Sequence, residues 1–349
     1  MASLTEVAYY SRKSIKFGVI GIVAYIVLQA IVIFGINLYN QLYPPPPPPP
    51  TMGFGLLPRL KFSQTGGYNY NFNLQTPTGV FPQFSDRASV FYVPQQKASL
   101  FAYQQAENTA SKYKFSGKGQ QIGETVYQWQ KRIPQALTMK IDIITGAFDY
   151  EYQWQADTSI LNNKRPLTED QVYQIAASFL RLDALNTSDI DLLKAKLTYY
   201  KASAGSLVPV LSLSEADFIK VDYFRNNIDD YQVVTYKPQD GIISMLISKS
   251  SQYDKQVISA NFDHYAVNYL QPETYPLMPI ATAWEQLKAG QAYIASNNGN
   301  SDQVNIRRIE LAYFDPPKQQ EFFQPVYVFR GDNDFIAYIP AISDSVIKK

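Results

Sequence analysis

Any Ser-His-Asp device or histidine-containing metal site in this chain would have to pass through His264, the single imidazole, set in Asn261-Phe262-Asp263-His264-Tyr265. There is no cysteine, which removes thiolate metal sites, iron–sulfur clusters, cysteine nucleophiles and disulfides together. A zinc site with several His or Cys ligands is excluded by count. No Gly-x-Ser-x-Gly elbow, Walker loop or dinucleotide fingerprint is present. The pairs Asp229-Asp230 and Glu169-Asp170 have the residue types of a glycosidase acid–base couple, but they fall in turn and helix-start positions where acidic residues are ordinary. Asp332, Asn333 and Asp334 offer oxygen ligands suited to calcium, yet the Gly and distal Glu of an EF loop are missing, and they read as a turn. His264 reads as a strand histidine with its polar tip in solvent. The sequence therefore assigns no catalytic, cofactor-binding or metal-ligating residue.

Composition narrows the remaining options. A net charge of +1 supplies no basic face for tracking phosphates, so nucleic acid is not an expected partner. The 27 Tyr and 20 Phe suit a packed core, and rings with amides can also line a groove that stacks on sugars or grips a peptide. No particular aromatic stripe stands out as a site.

Everything is positioned by Phe17–Tyr39, a stretch without a charged residue. At ~1.5 Å per residue it spans roughly 34 Å, enough to cross a hydrocarbon core of about 30 Å. Arg12, Lys13 and Lys16 precede it and no Lys or Arg follows until Arg59, so the sequence predicts a cytoplasmic tail over 1–16 and an extracytoplasmic bulk. The apolar run is too long for a signal peptide and no Ala-x-Ala follows it, which favours an uncleaved anchor. Tyr39 and Tyr43 suit the outer headgroup level. Gln29, near mid-membrane, is the candidate contact for a partner helix.

Residues 40–50 form a spacer containing seven consecutive prolines, Pro44–Pro50, a polyproline rod of roughly 22 Å. An SH3-type ligand is the alternative reading of that run. Residues 51–97 alternate Gly, Pro, Asn and aromatics and read as an extended arm that lays its rings on the domain. Three α+β units follow. In 98–156, Tyr103, Ala106, Ala110 and Tyr113 predict a helix of about four turns ending before Gly117. Thr125–Arg132, Ala136–Ile144 and Ala147–Trp154 then make a meander whose last two strands are linked at Thr145-Gly146.

In 157–271 a linker, Asp157–Arg165, precedes a capping box of Thr168 with Gln171. The helix it starts carries the stripe Val172, Ile175, Ala176, Phe179, Leu180. A short helix is expected from Ser188, then strands at 196–200, 218–224, 232–236, 242–248 and 256–262. Alternation of Ile219, Val221 and Tyr223 with Lys220, Asp222 and Phe224 predicts one covered face. In 272–349, Ile280, Trp284, Leu287 and Ile294 mark a helix ended by Asn297-Asn298-Gly299-Asn300. Strands at 304–314, 325–330 and 335–339 complete the unit, the last two joined by a turn at Gly331–Asp334. The recurrence of helix then strands is an internal repeat in architecture.

The C-terminal unit contains Ala281-Thr282-Ala283-Trp284-Glu285-Gln286-Leu287-Lys288-Ala289-Gly290, then Ile306-Arg307-Arg308-Ile309-Glu310-Leu311-Ala312-Tyr313, then Gln324-Pro325-Val326-Tyr327-Val328-Phe329. This succession resembles the PepSY-like domains, in particular the extracytoplasmic regulators of the YycH and YycI type. It is best over 277–340 and loose over 98–155. The resemblance implies one N-terminal transmembrane helix, tandem α+β units of one helix packed on an antiparallel meander, and a role in restraining a membrane partner such as a sensor kinase, without catalysis. The fold expected is thus α+β behind a single membrane helix. The function expected is that of a single-pass, membrane-anchored, extracytoplasmic protein that regulates or scaffolds an envelope or membrane protein, with the bilayer as its other partner and no cofactor. The alternatives are a binder of cell-wall glycan and a TonB-like energy transducer built on the proline spacer.

Overall fold

A computed structural model of the chain describes residues 4–42, 49–62, 68–97, 99–132, 136–183, 187–299 and 301–348. These fall into two compact units, 1–49 and 50–349. The first is one helix, α1 (Leu4–Leu42). Within its segment Arg12–Leu42 the most apolar 18 residues have a mean hydropathy of 2.7, and none of the segment is buried in protein. At ~1.5 Å per residue that segment is about 46 Å long, so the helix is long and apolar enough to cross a membrane. It begins well before the predicted 17–39 span: no Gly or Pro interrupts 4–16, so Arg12, Lys13 and Lys16 lie within the helix as exposed side chains rather than ahead of it. Of the spacer, residues 40–42 continue α1, and 43–48, which hold most of the proline rod, lie outside the described residues.

The second unit opens with β1 (Asn71–Leu74), β2 (Arg87–Tyr92), α2 (Ala102–Lys112), β3 (Gln120–Gln121), β4 (Val126–Lys131), β5 (Leu137–Asp142) and β6 (Phe148–Tyr152). It continues with α3 (Ser159–Asn162), α4 (Glu169–Arg181), β7 (Lys196–Ser203), β8 (Ser206–Val210), β9 (Phe218–Tyr223), β10 (Val233–Thr235), β11 (Ile243–Ser248) and β12 (Val257–Phe262). The last elements are β13 (Asn268–Pro276), α5 (Ile280–Lys288), β14 (Tyr293–Ser296), β15 (Gln303–Asp315), β16 (Phe322–Phe323), β17 (Pro325–Gly331) and β18 (Ile336–Pro340).

Nine strands form one antiparallel sheet in the order β3-β4-β5-β6-β12-β11-β9-β7-β8. Period-two alternation drives its inner face: in β5, Met139 and Ile141 are fully buried while Lys140 is exposed. The helix that covers this face starts where the sequence says it should. Thr168 accepts from the Gln171 amide and Gln171 reaches back to Thr168, closing the capping box of α4. Val172, Ala176 and Leu180, at helical spacing, are then buried, with Ile175 and Phe179 packed at the margin of the same core. The stretches 98–156 and 157–271 meet where β6 pairs with β12, Tyr150 opposite Ala260. Phe148 and Phe262 stack across that seam at 5.3 Å, so both stretches share one sheet and one core.

The C-terminal stretch builds a second, mixed sheet, β1-β15-β17-β18-β14, with β10 also on β15. The 13-residue β15 carries β17 antiparallel on one edge. Its other edge takes β1 at 303–306 and β10 at 313–315, both parallel. A third sheet, β13-β2-β16, lies beside it. The arm therefore does more than lay rings on the domain: it supplies β1 and β2 to two sheets. Its rings do pack inward, with Phe54, Tyr70, Phe81 and Phe84 against the core that holds α5.

Several local expectations change. No helix starts at Ser188; Ile190 instead bridges to Arg225. The helix at 280 stops at Lys288, because Gly290 takes φ +73°, and Ile294 belongs to the edge strand β14. The helix in 98–156 is α2, shorter than four turns. The link at Thr145-Gly146 is a longer loop, from Asp142 to Phe148, with Gly146 at φ +73°. The β9 strand has both faces covered: Phe218 packs on Trp154 at 4.7 Å, and Asp222, 0 % exposed, is bonded by Lys220 Nζ at 3.0 Å.

Candidate functional site

None of the residues with chemical potential in the sequence converges on a reactive centre. Glu169 sits in the first turn of α4 and accepts from the Tyr199 hydroxyl at 2.6 Å. Asp229, at φ +51°, turns the chain between Ile228 and Tyr231, and Asp230 follows it in the same turn. Asn333 and Asp334 occupy the left-handed region in the β17–β18 hairpin. There Asp332 accepts from Arg307 Nε at 2.8 Å and from Asn305 Nδ2 at 3.0 Å. Those bonds, led by Arg307, hold its carboxyl down at about 2. Among the described residues no group of three or more His, Cys, Asp or Glu is arranged to hold a metal ion. In α1 the exposed Gln29 amide donates to the Tyr25 hydroxyl one turn back at 2.8 Å, so this candidate partner contact already has an intrahelical bond.

His264 requires a correction, because its tip is not solvated. It lies just past β12, 8 % exposed, with Nε2 at 2.7 Å from Asp189 Oδ1 and 3.2 Å from Arg225 Nη1. Arg225, its side chain 0 % exposed, is the centre of a clamp. Its Nε donates to Asp315 Oδ2 at 2.6 Å, its Nη2 to the Tyr265 carbonyl at 2.7 Å, and its Nη1 to Asp189. The guanidinium also lies over the rings of Tyr265 at 4.8 Å and Phe323 at 5.6 Å. Burial pushes the Asp189 carboxyl up, but the His264 bond and the Arg225 charge outweigh it and hold it at about 2. Three connecting segments, at Asp189, at Arg225 and at His264-Tyr265, and the last residue of β15, Asp315, are tied by these bonds, and the imidazole is spent on them.

Among the described residues a roomier concavity lies elsewhere, where the ends of α2 and α4 overhang β5, β6 and β12. It is a cleft of about 660 Å³, within the range of small-molecule sites; the other cavities described are 250–340 Å³. Tyr113 anchors its roof, the hydroxyl donating to the Phe179 carbonyl at 3.3 Å and the rings 4.7 Å apart. Tyr150 stands edge-on to Phe179 at 5.1 Å; burial, with a smaller push from Asp254, raises its hydroxyl to about 12. Leu137, Ile175 and Val257 add aliphatic wall. At the lip Tyr253 is 74 % exposed.

The charge of this cleft is one-sided. Lys112, Lys114, Lys131, Arg165 and Lys255 line it, against Asp254 alone. Two of the cations are answered from outside the cleft: Lys112 Nζ meets Asp183 at 2.5 Å, and Lys255 Nζ meets Asp157 at 2.6 Å. Among the described residues no carboxylate pairs with Lys114, Lys131 or Arg165. Lys131 sits over the Phe115 ring at 5.0 Å; burial lowers its ammonium pKa, and the Lys114 charge lowers it further. The Arg165 Nε is buried without a hydrogen-bond partner.

This cleft was missed by motif reading, because its cations come from a helix end, a strand, a linker and a short turn up to 143 residues apart in the chain, Lys112 to Lys255. The one local hint was the basic cluster at the end of α2, Lys112 and Lys114.

No family model matches the chain, and no curated protein matches it. Among solved structures it is similar to an uncharacterized protein from Eubacterium rectale, at 10 % identity, over 74 % of this chain and 84 % of that one, with a TM-score of 0.34. A likeness at that level carries no argument about function. The chain is an α+β protein, its sheets mostly antiparallel, with one N-terminal helix long and apolar enough to cross a membrane.

Proposed function

We propose that this is a single-pass, membrane-anchored protein whose C-terminal bulk lies outside the cytoplasm and regulates or scaffolds another membrane or envelope protein by binding, without catalysis. The observation that carries the reading is α1: its most apolar 18 residues have a mean hydropathy of 2.7 with none of them buried in protein, a length and composition suited to a lipid surrounding. The basic residues Arg12, Lys13 and Lys16, on the N-terminal side of its apolar run, favour an N-terminus in the cytoplasm. The resemblance of 277–340 to PepSY-like regulators of the YycH and YycI type supports a binding role. So does the use of His264 and its neighbouring carboxylates as structural ties rather than as exposed acid–base groups.

The test is crosslinking in intact cells, followed by recovery of the full chain and identification of what is attached. The reading expects one membrane or envelope protein in recurrent, near-stoichiometric yield. Recovery of the chain alone, together with reproducible substrate turnover by the purified protein that is lost on a point substitution, would overturn it.

A further inference from the structure

We propose that the cleft between α2, α4 and the β5-β6-β12 seam binds a small amphipathic anion: a flat apolar body carrying a phosphate- or carboxylate-type head. Unlike the anchor reading, this concerns the second unit only and stands or falls without it.

Three observations converge on it. Size comes first: about 660 Å³ accommodates a ligand of a few rings, whereas a core void of that volume would be a grave packing defect. The second is the wall, in which Tyr113, Tyr150 and Phe179 form an aromatic cluster and the exposed Tyr253 ring stands at the entrance. The third is charge complementarity. Lys114 and Lys131 are close enough to repel one another, yet neither is given a carboxylate, and the buried Arg165 Nε is a donor without an acceptor. Folded chains seldom leave buried donors unanswered, and an anionic head placed between these groups would relieve the repulsion and satisfy the donor. A neutral ligand would do neither.

The experiment uses the full chain in phosphatidylcholine nanodiscs, with empty nanodiscs subtracted, and equilibrium dialysis of two probes: 1-naphthyl phosphate and its neutral counterpart 1-naphthol. Saturable binding of the phosphate at one per chain is expected, much tighter than that of the naphthol. K114E/K131E should weaken the phosphate by about tenfold or more, the scale of lost charge-assisted contacts, with unchanged near-ultraviolet circular dichroism. K114R/K131R, which keeps the charge, should retain binding. Adding phosphatidylglycerol to the nanodisc separates two sources of the anionic head: competition assigns it to a lipid, and no competition to a soluble anion. The proposal is overturned if the phosphate does not saturate, if the naphthol binds as tightly, or if K114E/K131E binds the phosphate as well as the natural chain does.

Discussion

The Arg225 clamp and the cleft under α2 and α4 both set a cation over an aromatic ring, and they differ in how their cations are answered. Around Arg225 every guanidinium nitrogen has an acceptor or a ring, and two carboxylates, Asp315 and Asp189, balance the charge of its buried side chain. In the cleft, Lys114, Lys131 and Arg165 face an open volume with Asp254 as the one lining carboxylate. The first arrangement joins the nine-stranded sheet to the C-terminal sheet; the second leaves an electrostatic deficit that the chain itself does not fill. Charge that is buried and paired acts as architecture, while charge held half-exposed and unpaired acts as capacity for a partner.

Breaking the clamp should produce the largest effect. Arg225→Met strands Asp315, whose side chain is 0 % exposed, without a counter-charge. Urea unfolding should show a loss of about 3–5 kcal/mol; a loss below about 1 kcal/mol would remove the distinction between the two regions. Acid probes the same clamp more gently. The Asp189 carboxyl is depressed in the folded chain to about 2, below its unfolded value of about 3.9. Its contribution is therefore fully present above about pH 4 and is lost as pH falls toward about 2. The unfolding midpoint of the natural chain should drop across that window more steeply than that of Asp189→Asn, and parallel curves would contradict the assignment.

Next in size is the wall the cleft depends on. Thr168→Ala opens the capping box of α4 and should cost about 1 kcal/mol, read as a lowered thermal midpoint. Smallest of all is Lys131→Met. Because Lys131 has no carboxylate to lose and sits against Lys114, stability should stay within about 0.5 kcal/mol of the natural chain or rise slightly. A loss comparable to that of Arg225→Met would show the cleft to be a second clamp.

What could be read ahead of the structure was local. The capping box at Thr168, the stripe Val172–Leu180 and the alternation in β5 are each written within a few residues, and each is found as such. The span of α1 was legible from its apolar run, though not its earlier start. Reading failed where a distant partner decides the outcome. Val233–Thr235 looks like one more strand of the middle stretch, but it leaves that sheet to lie parallel on β15. Tyr293–Ser296 continues a helical spacing, yet Gly290 ends the helix and β18 recruits the segment as an edge. His264 looked solvated because Asp189 and Arg225, 75 and 39 residues away, are invisible in its neighbourhood. The cleft was hidden for the same reason: its cations are ordinary one at a time, and only the fold brings them together.

The membrane reading is the claim on which the functional account rests, and the absence of cysteine offers a direct measurement. Leu211 and Leu270, 98 % and 93 % exposed in the second unit, and Ser14 ahead of the apolar core of α1 can each be replaced singly by cysteine. Intact cells are then treated with a membrane-impermeant maleimide before and after opening. The account predicts that Leu211→Cys and Leu270→Cys label in intact cells and that Ser14→Cys labels only once the cells are opened. Labelling of Ser14→Cys in intact cells, with Leu211→Cys and Leu270→Cys protected until lysis, would contradict it.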